Sequence, residues 1–235
     1  MQRKPQPNNR AAGMIKIAAY SAAIAALIYV SPFGIMLSSA SAAEGLRITA
    51  PSVAITEPDG DQTAIFAGGC FWGIEGVFDH VKGVKRAEAG YAGGSAQSAD
   101  YSTVSSGTTR HAEAVRIFYD PKIVSYNQLM QIFFSVGLDP TQLNRQGPDT
   151  GSQYRSALFP VTAIQAKAAR AYLAQLSAKS PWGKKPVTQI ESGTFYPAEA
   201  YHQNYMAKNP SDGYIRANDA PKVANLRRLF PARYR

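Results

Sequence analysis

Of the 235 residues only one, Cys70, carries a thiol. It stands in Gly68-Gly69-Cys70-Phe71-Trp72-Gly73, between the apolar run 63–67 and a stretch with helical spacing, which puts the sulfur at a strand-to-helix turn. The unpaired N–H groups and the dipole at a helix N-terminus favour an anion, and a cysteine placed there is lowered from its usual pKa of ~8.5. The paired glycines permit a tight turn that leaves the sulfur uncovered. A nucleophilic thiol is the chemistry this arrangement offers, and a buried structural cysteine is the alternative that spacing alone leaves open. A single cysteine excludes an internal disulfide framework and any Cys-rich zinc or iron–sulfur centre. His111 and His202 are available as partners for a thiol hydrolase, and no close His/Asp/Glu spacing suggests a metal.

The elements that must position this thiol read as short apolar runs alternating with helical stretches, without an internal repeat. Phe71, Ile74, Val77, Phe78 and Val81 share a face of a helix over 71–81. Residues 84–91 and 112–119 read as strands, the second alternating through Ala114, Ile117 and Tyr119. Ser125 caps an amphipathic helix over 125–136, and Thr162 caps an Ala-rich one reaching 178. Short strands are expected over 155–159 and 187–190, and a short helix over 198–208 before Pro210. This mixture predicts a single α+β domain, a mixed but largely antiparallel sheet with packed helices in a ferredoxin-like two-layer sandwich.

Beyond the GGCFWG turn and its continuation Ile74-Glu75, a set of motifs follows in order: Gly90-Tyr91-Ala92-Gly93-Gly94, Tyr101, Ser106-Gly107-Thr108, His111-Ala112-Glu113-Ala114-Val115 and Tyr119-Asp120-Pro121. Then come Gly147-Pro148-Asp149-Thr150-Gly151-Ser152-Gln153-Tyr154-Arg155-Ser156, Phe195-Tyr196-Pro197-Ala198-Glu199, Tyr201-His202-Gln203 and Lys208-Asn209-Pro210. Together, from about residue 63 to 210, they resemble the A-type peptide methionine sulfoxide reductases, which act on the S epimer. The resemblance implies that Cys70 attacks the sulfoxide sulfur while Glu113 delivers a proton to the departing oxygen. In its Ala-Glu-Ala setting, desolvation would keep that carboxyl protonated near neutrality. It further implies that the hydroxyls of Tyr101 and Tyr154 hold the oxygen, that Phe71 and Trp72 receive the methyl group, and that Asp149 adds a hydrogen bond at the site. Without it, Glu113 reads as an outward-facing strand carboxylate, the aromatics as packing residues and Asp149 as a turn residue. His111 and His202, inside matching motifs, take structural roles. The implied substrates are oxidised methionine-containing proteins or peptides and free methionine sulfoxide. No cofactor or metal is called for, and the expected form is a monomer.

The family's cycle leaves a sulfenic acid on the nucleophile, which a second thiol must resolve. This chain has none, and Ser105 and Arg110 stand where related sequences often have Cys and Gly. The expectation is a one-cysteine cycle with an external reductant, a thioredoxin-like protein or a small thiol.

The formal charge of +9 is unevenly spread. Residues 1–42 hold Arg3, Lys4, Arg10 and Lys16 with no acid, and 216–235 hold six basic residues against Asp219, so 43–215 is neutral and nucleic acid is not an expected partner. Basic residues, an apolar stretch over 17–30 and Ala40-Ser41-Ala42 resemble a secretory signal, with an uncleaved membrane anchor as the rival reading. The chain therefore divides into a signal peptide or anchor (1–42), a linker (43–62), a catalytic domain (63–210) and a basic C-terminal tail (211–235). An exported protein is expected, periplasmic or anchored to the outer side of the inner membrane. Mass spectrometry of the mature protein is expected to place its amino terminus at Ala43, and a terminus upstream of Ala40 would exclude that cleavage.

Overall fold

The computed structural model describes residues 45–235, and the expected leader over 1–42 lies outside the described residues. Along strand β1 (Gln62–Ala67), Ala64 and Phe66 join one core cluster while Ile65 and Ala67 join another, as the two-residue period of a strand requires. Gly68 and Gly69 end the strand, and α1 (Phe71–Asp79) begins at Cys70, its N-cap. Gly69 has φ +83°, and a β-carbon there would lie 2.6 Å from Cβ of Gln146, so both conformation and space demand glycine. Next come β2 (Val84–Ala92), the short helix α2 (Tyr101–Ser105) and β3 (Ala112–Tyr119). The helix α3 (Tyr126–Ile132) opens with a reciprocal capping box between Ser125 and Gln128 and runs into a π-helical turn, Phe133–Gly137. A small hairpin, β4 (Arg145–Gln146) and β5 (Asp149–Thr150), precedes β6 (Ala157–Leu158), α4 (Ala163–Ala178), β7 (Gln189–Ile190) and β8 (Phe195–Pro197). The chain closes with α5 (Tyr205–Lys208) and α6 (Ala220–Leu229).

Six strands hydrogen-bond in the order β7-β6-β1-β3-β2-β8, and every pairing is antiparallel except that of β6 with β7. Among β1, β2, β3 and β6, counted in chain order, the arrangement is fourth, first, third, second, which is the ferredoxin-like order. The chain thus adopts the expected α+β fold, with residues of α1, α3 and α4 packed on one face of the sheet. That face is built from large side chains, among them Phe66, Phe78, Tyr126, Phe133 and Tyr172, whereas the opposite face is mostly alanine under Phe159 and Phe195. The alternation of β3 differs from the sequence reading. Val115, Ile117 and Tyr119 face the helices, and Ala114 faces away. Glu113 shares the parity of Val115 and so lies beneath α1 rather than outward.

Three further stretches depart from expectation. From Gly45 the linker is strapped to the domain: Ile48 N–H donates to Ser135 Oγ at 3.0 Å, Tyr172 donates to the Thr49 carbonyl at 2.8 Å, and Glu57 accepts from Tyr119 and from the Tyr126 amide. Residues 198–208 are α-helical only over α5, because Asn204 takes a left-handed conformation, φ +55°, that interrupts the run.

The third departure is at the carboxy end, where the basic tail over 211–235 is folded structure packed on the domain. A π-helical turn, Ile215–Asp219, leads into α6 with Pro221 in its first turn, and both pack on α1. Ile215, Val223, Leu226 and Phe230 are buried there. The cations are used locally: Lys222 pairs with Asp219, while Arg228, Arg233 and Arg235 donate to the carbonyls of Gly45, Ile123 and Asp79. Residue 210 is therefore no domain boundary. Leu226→Ala is expected to lower the free energy of unfolding by about 2–5 kcal/mol in a urea titration, the usual cost of truncating a buried leucine. A loss below about 0.5 kcal/mol, as for a surface change, would separate the segment from the core.

Candidate active site

Cys70 sits where the sequence places it, at the N-terminus of α1, yet it is only 7% exposed. The first free amides of the helix are divided. The Phe71 N–H donates to Glu113 Oε2 at 3.1 Å, and the Trp72 N–H supports the sulfur. Burial outweighs that support and holds the thiol well above its ordinary pKa, with repulsion from the carboxylates of Glu113 and Asp219 adding to it and Lys222 opposing it. The expected lowering by the helix terminus is therefore reversed in the resting protein.

Glu113 explains part of that reversal. Its side chain is buried on β3 directly across the strand pair from Tyr91, with alanines on either side in the chain. Burial pushes its pKa up to about 8, aided by the nearby charges of Asp149 and Asp219 and opposed by the Phe71 N–H. The carboxyl is consequently protonated at neutral pH. Its repulsion of a thiolate disappears in that state, and accepting through Oε2 leaves the other oxygen to carry the transferable proton.

The two expected tyrosines converge on the same place. Tyr101, at the start of α2, is fixed by its amide donating to Glu199 Oε1 at 2.8 Å and by Asp100, which caps the helix through the Thr103 N–H. Glu199 also accepts from Tyr91 at 2.9 Å, so one carboxylate ties α2 to β2. Tyr154 precedes Arg155, whose guanidinium makes a bidentate pair with Glu191 at 2.7 and 2.8 Å and also bonds the carbonyls of Arg110, His111 and Ser152. Both phenols lie within electrostatic reach of Cys70 and Glu113, and burial leads in raising their pKa values, so both remain protonated donors.

Phe71 is sealed in the core, its ring 5.0 Å from that of His202 and 5.8 Å from Tyr91. Trp72 keeps some exposed surface but is stacked on Tyr205 at 3.8 Å. Its indole N–H donates to His202 Nδ1 at 3.1 Å, which fixes the ring, and burial keeps that histidine's pKa low. His111 accepts from the Gly94 N–H and bonds the Ser95 carbonyl. Among the described residues neither histidine hydrogen-bonds Cys70, so neither serves as a base for it.

Asp149, on β5, accepts a hydrogen bond from Tyr214, whose ring meets Trp72 edge-on at 6.0 Å. Tyr205, Tyr214 and Asp219 complete the surroundings and escape the sequence reading, because each is a single polar or aromatic residue in a stretch without apolar periodicity. Among the described residues no group of three or more His, Cys, Asp or Glu side chains is arranged to hold a metal ion.

A thiol without a base partner, beside an acid that is neutral at pH 7, suits the displacement of an oxygen that must be protonated before it can leave. That chemistry belongs to a cysteine-dependent reductase and not to a thiol hydrolase. The family model described as "Peptide methionine sulfoxide reductase" matches residues 62–233, and the chain belongs to that family. A peptide methionine sulfoxide reductase of Mesorhizobium japonicum, MsrA 2, is 56% identical over 176 residues, 74% of this chain and 90% of that protein. The MsrA of Deinococcus radiodurans is 50% identical over 177 residues, covering 74% and 85%. Among solved structures, reduced Mxr1 from Saccharomyces cerevisiae superposes with a TM-score of 0.60 at 33% identity, covering 71% of this chain and 96% of that one. Methionine sulfoxide reductase A of Corynebacterium diphtheriae gives 0.57 at 33% identity, covering 72% and 86%. The enzyme is accordingly an oxidoreductase, a peptide-methionine (S)-S-oxide reductase.

Because the acid titrates near pH 8, kcat is expected to hold through neutrality and to fall as Glu113 ionises above that value. Glu113→Gln is expected to cost roughly 10²–10⁴ in rate and to abolish the alkaline limb, measured as methionine formation across pH 6–10. A limb unchanged in that variant would assign it to another group. The same raised pKa means that the native state holds a proton which the unfolded chain releases near pH 4.5, so stability falls as pH rises from there towards 8.

Proposed function

We propose that this enzyme reduces methionine S-sulfoxide, both peptide-bound and free, by a one-cysteine cycle that repairs oxidised exported proteins. The observation that carries the reading is the meeting of nucleophile and acid at one helix end: the neutral Glu113 carboxyl accepts from the first amide of the helix that Cys70 caps. Cys70 sulfur forms a bond to the sulfoxide sulfur while Glu113 gives its proton to the oxygen, and the proton that the thiol loses replaces it on Glu113. Tyr101 and Tyr154 donate hydrogen bonds to that oxygen, where negative charge would otherwise accumulate. The bond from the methionine sulfur to oxygen breaks as that oxygen passes to Cys70 as a sulfenic acid, the sulfur–sulfur bond breaks with its electron pair left on the methionine sulfur, and methionine departs reduced. A methyl group against Trp72 and an oxygen among hydroxyls fix two substituents of a chiral sulfur, which accounts for selection of one epimer.

Regeneration uses an external thiol. Its sulfur attacks the sulfenic acid, water leaves, and a second thiol breaks the mixed disulfide to return Cys70 and release the oxidised reductant. With one cysteine in the chain no internal thiol is available for this step. A thioredoxin-like dithiol domain or a small thiol fits the role, held reduced by a dedicated electron supply in an oxidising compartment. Export rests on the basic and apolar pattern of residues 1–42 ending in Ala40-Ser41-Ala42. A single-turnover reaction without reductant is expected to yield at most one methionine per enzyme, with Cys70 captured by a sulfenic-acid reagent. Two equivalents would refute the one-cysteine cycle, and full activity of Cys70→Ser would remove the nucleophile.

A further inference from the structure

One buried ion pair has no part in the chemistry above. Asp219 and Lys222, whose charged atoms lie 3.4 Å apart, are both almost completely enclosed where the C-terminal segment meets α1. The contact depends on Gly73, three residues after Cys70 and so on the same side of the helix. A β-carbon at Gly73 would stand 2.2 Å from Asp219 Oδ1, so the missing side chain is what admits the carboxylate against the first turn of α1. The second oxygen, Oδ2, is buried and has no hydrogen-bond partner among the described residues. An ion pair enclosed in this way is weak evidence of stabilisation, because desolvation offsets most of its attraction. Its placement against the catalytic turn calls for another explanation.

We propose that the Asp219–Lys222 pair, seated in the space that Gly73 leaves against the first turn of α1, is a positioning element for the reduction that restrains the reactivity of the resting Cys70 sulfur. The inference rests on Cys70 as the nucleophile of a one-cysteine cycle. In such a cycle the benefit is specific. Only the thiolate reacts readily with oxidants, and no second cysteine in the chain can recover Cys70 after a stray oxidation. A carboxylate held beside the resting thiol suppresses the anion, and the ammonium group limits how far.

The charged and titratable groups facing Cys70 are Glu113 from β3, Asp219 and Lys222 from the C-terminal segment, and the phenols of Tyr101, Tyr154, Tyr205 and Tyr214. Asp149 and Asp212 act in turn on Asp219, whose pKa burial pushes up to about 6. Glu113 is neutral below pH 8, so near neutrality Asp219 is the principal anion opposing the thiolate.

The test is the rate of alkylation of the single cysteine by iodoacetamide across pH 6–11 in the full chain, with folding checked by circular dichroism. Asp219→Asn removes the anion, leaves the positive charge of Lys222 in place, and is expected to lower the pH midpoint by about one unit, with alkylation at pH 7 about tenfold faster. The double variant Asp219→Asn with Lys222→Met removes both charges and is expected to fall between the single variant and the wild type. The double variant leaves no charge from the pair in the core, so its shift carries the test if the single variant does not fold. Inactivation by hydrogen peroxide is expected to accelerate in the same order. Coincident midpoints in the folded variants would overturn the proposal. Alkylation needs no sulfoxide turnover, so that failure would be distinct from a failure of the one-cysteine cycle.

Discussion

The burial of one carboxyl group governs the arrangement of this molecule. At its ordinary pKa Glu113 would carry no proton at neutral pH. Sealing it on the central strand, on the helix side of the sheet, reverses that. The alternation of β3 puts the side chain under α1, the Phe71 amide satisfies one of its oxygens, and the alanines beside it supply no competing polar group. The same enclosure raises the thiol. Cys70 and Glu113 are therefore both held in their protonated forms.

That enclosure needs more than the sheet. A helix packed on one face of a sheet ordinarily leaves its outer side in water, but α1 is buried nearly all round. Gly73 and Gly76 form its second face, the first against Asp219 and the second against Met206, with no Cβ to hold the neighbouring segments off. Trp72 is likewise covered, stacked on Tyr205 and edge-on to Tyr214. Residues from 199 onward thus form the outer wall of the site while the ferredoxin-like sheet forms the inner one.

What could be read from the chain follows this division. The inner wall was legible because its signals are periodic or positional: the apolar strand that ends at Gly68, the face of Phe71, Ile74, Val77 and Phe78, and the caps Ser125 and Thr162 all match the structure. Glu113 was legible by motif and missed by pattern, since the true alternation through Val115, Ile117 and Tyr119 already assigns it to the core face. The outer wall was not legible. In α6 the buried residues Val223 and Leu226 are outnumbered by polar and charged ones, Lys222 and Asp219 pair out of water, and the arginines bond backbone carbonyls of distant elements. Such pairings are tertiary and leave no mark on a hydrophobic profile. Among the short strands, β6 and β7 fall within the expected runs, whereas β4, β5 and β8 are too brief to show a period.

The tying of residues 228–235 to Gly45 and to α1 bears on when the enzyme comes into being. Arg228 bonds the Gly45 carbonyl, Tyr234 bridges to Val81, and Arg235 reaches the end of α1. The residues that finish the walls around Cys70, Tyr205, Tyr214 and Asp219 among them, are translated long after it, so a nascent chain holds its cysteine in an unfinished site until that segment has followed.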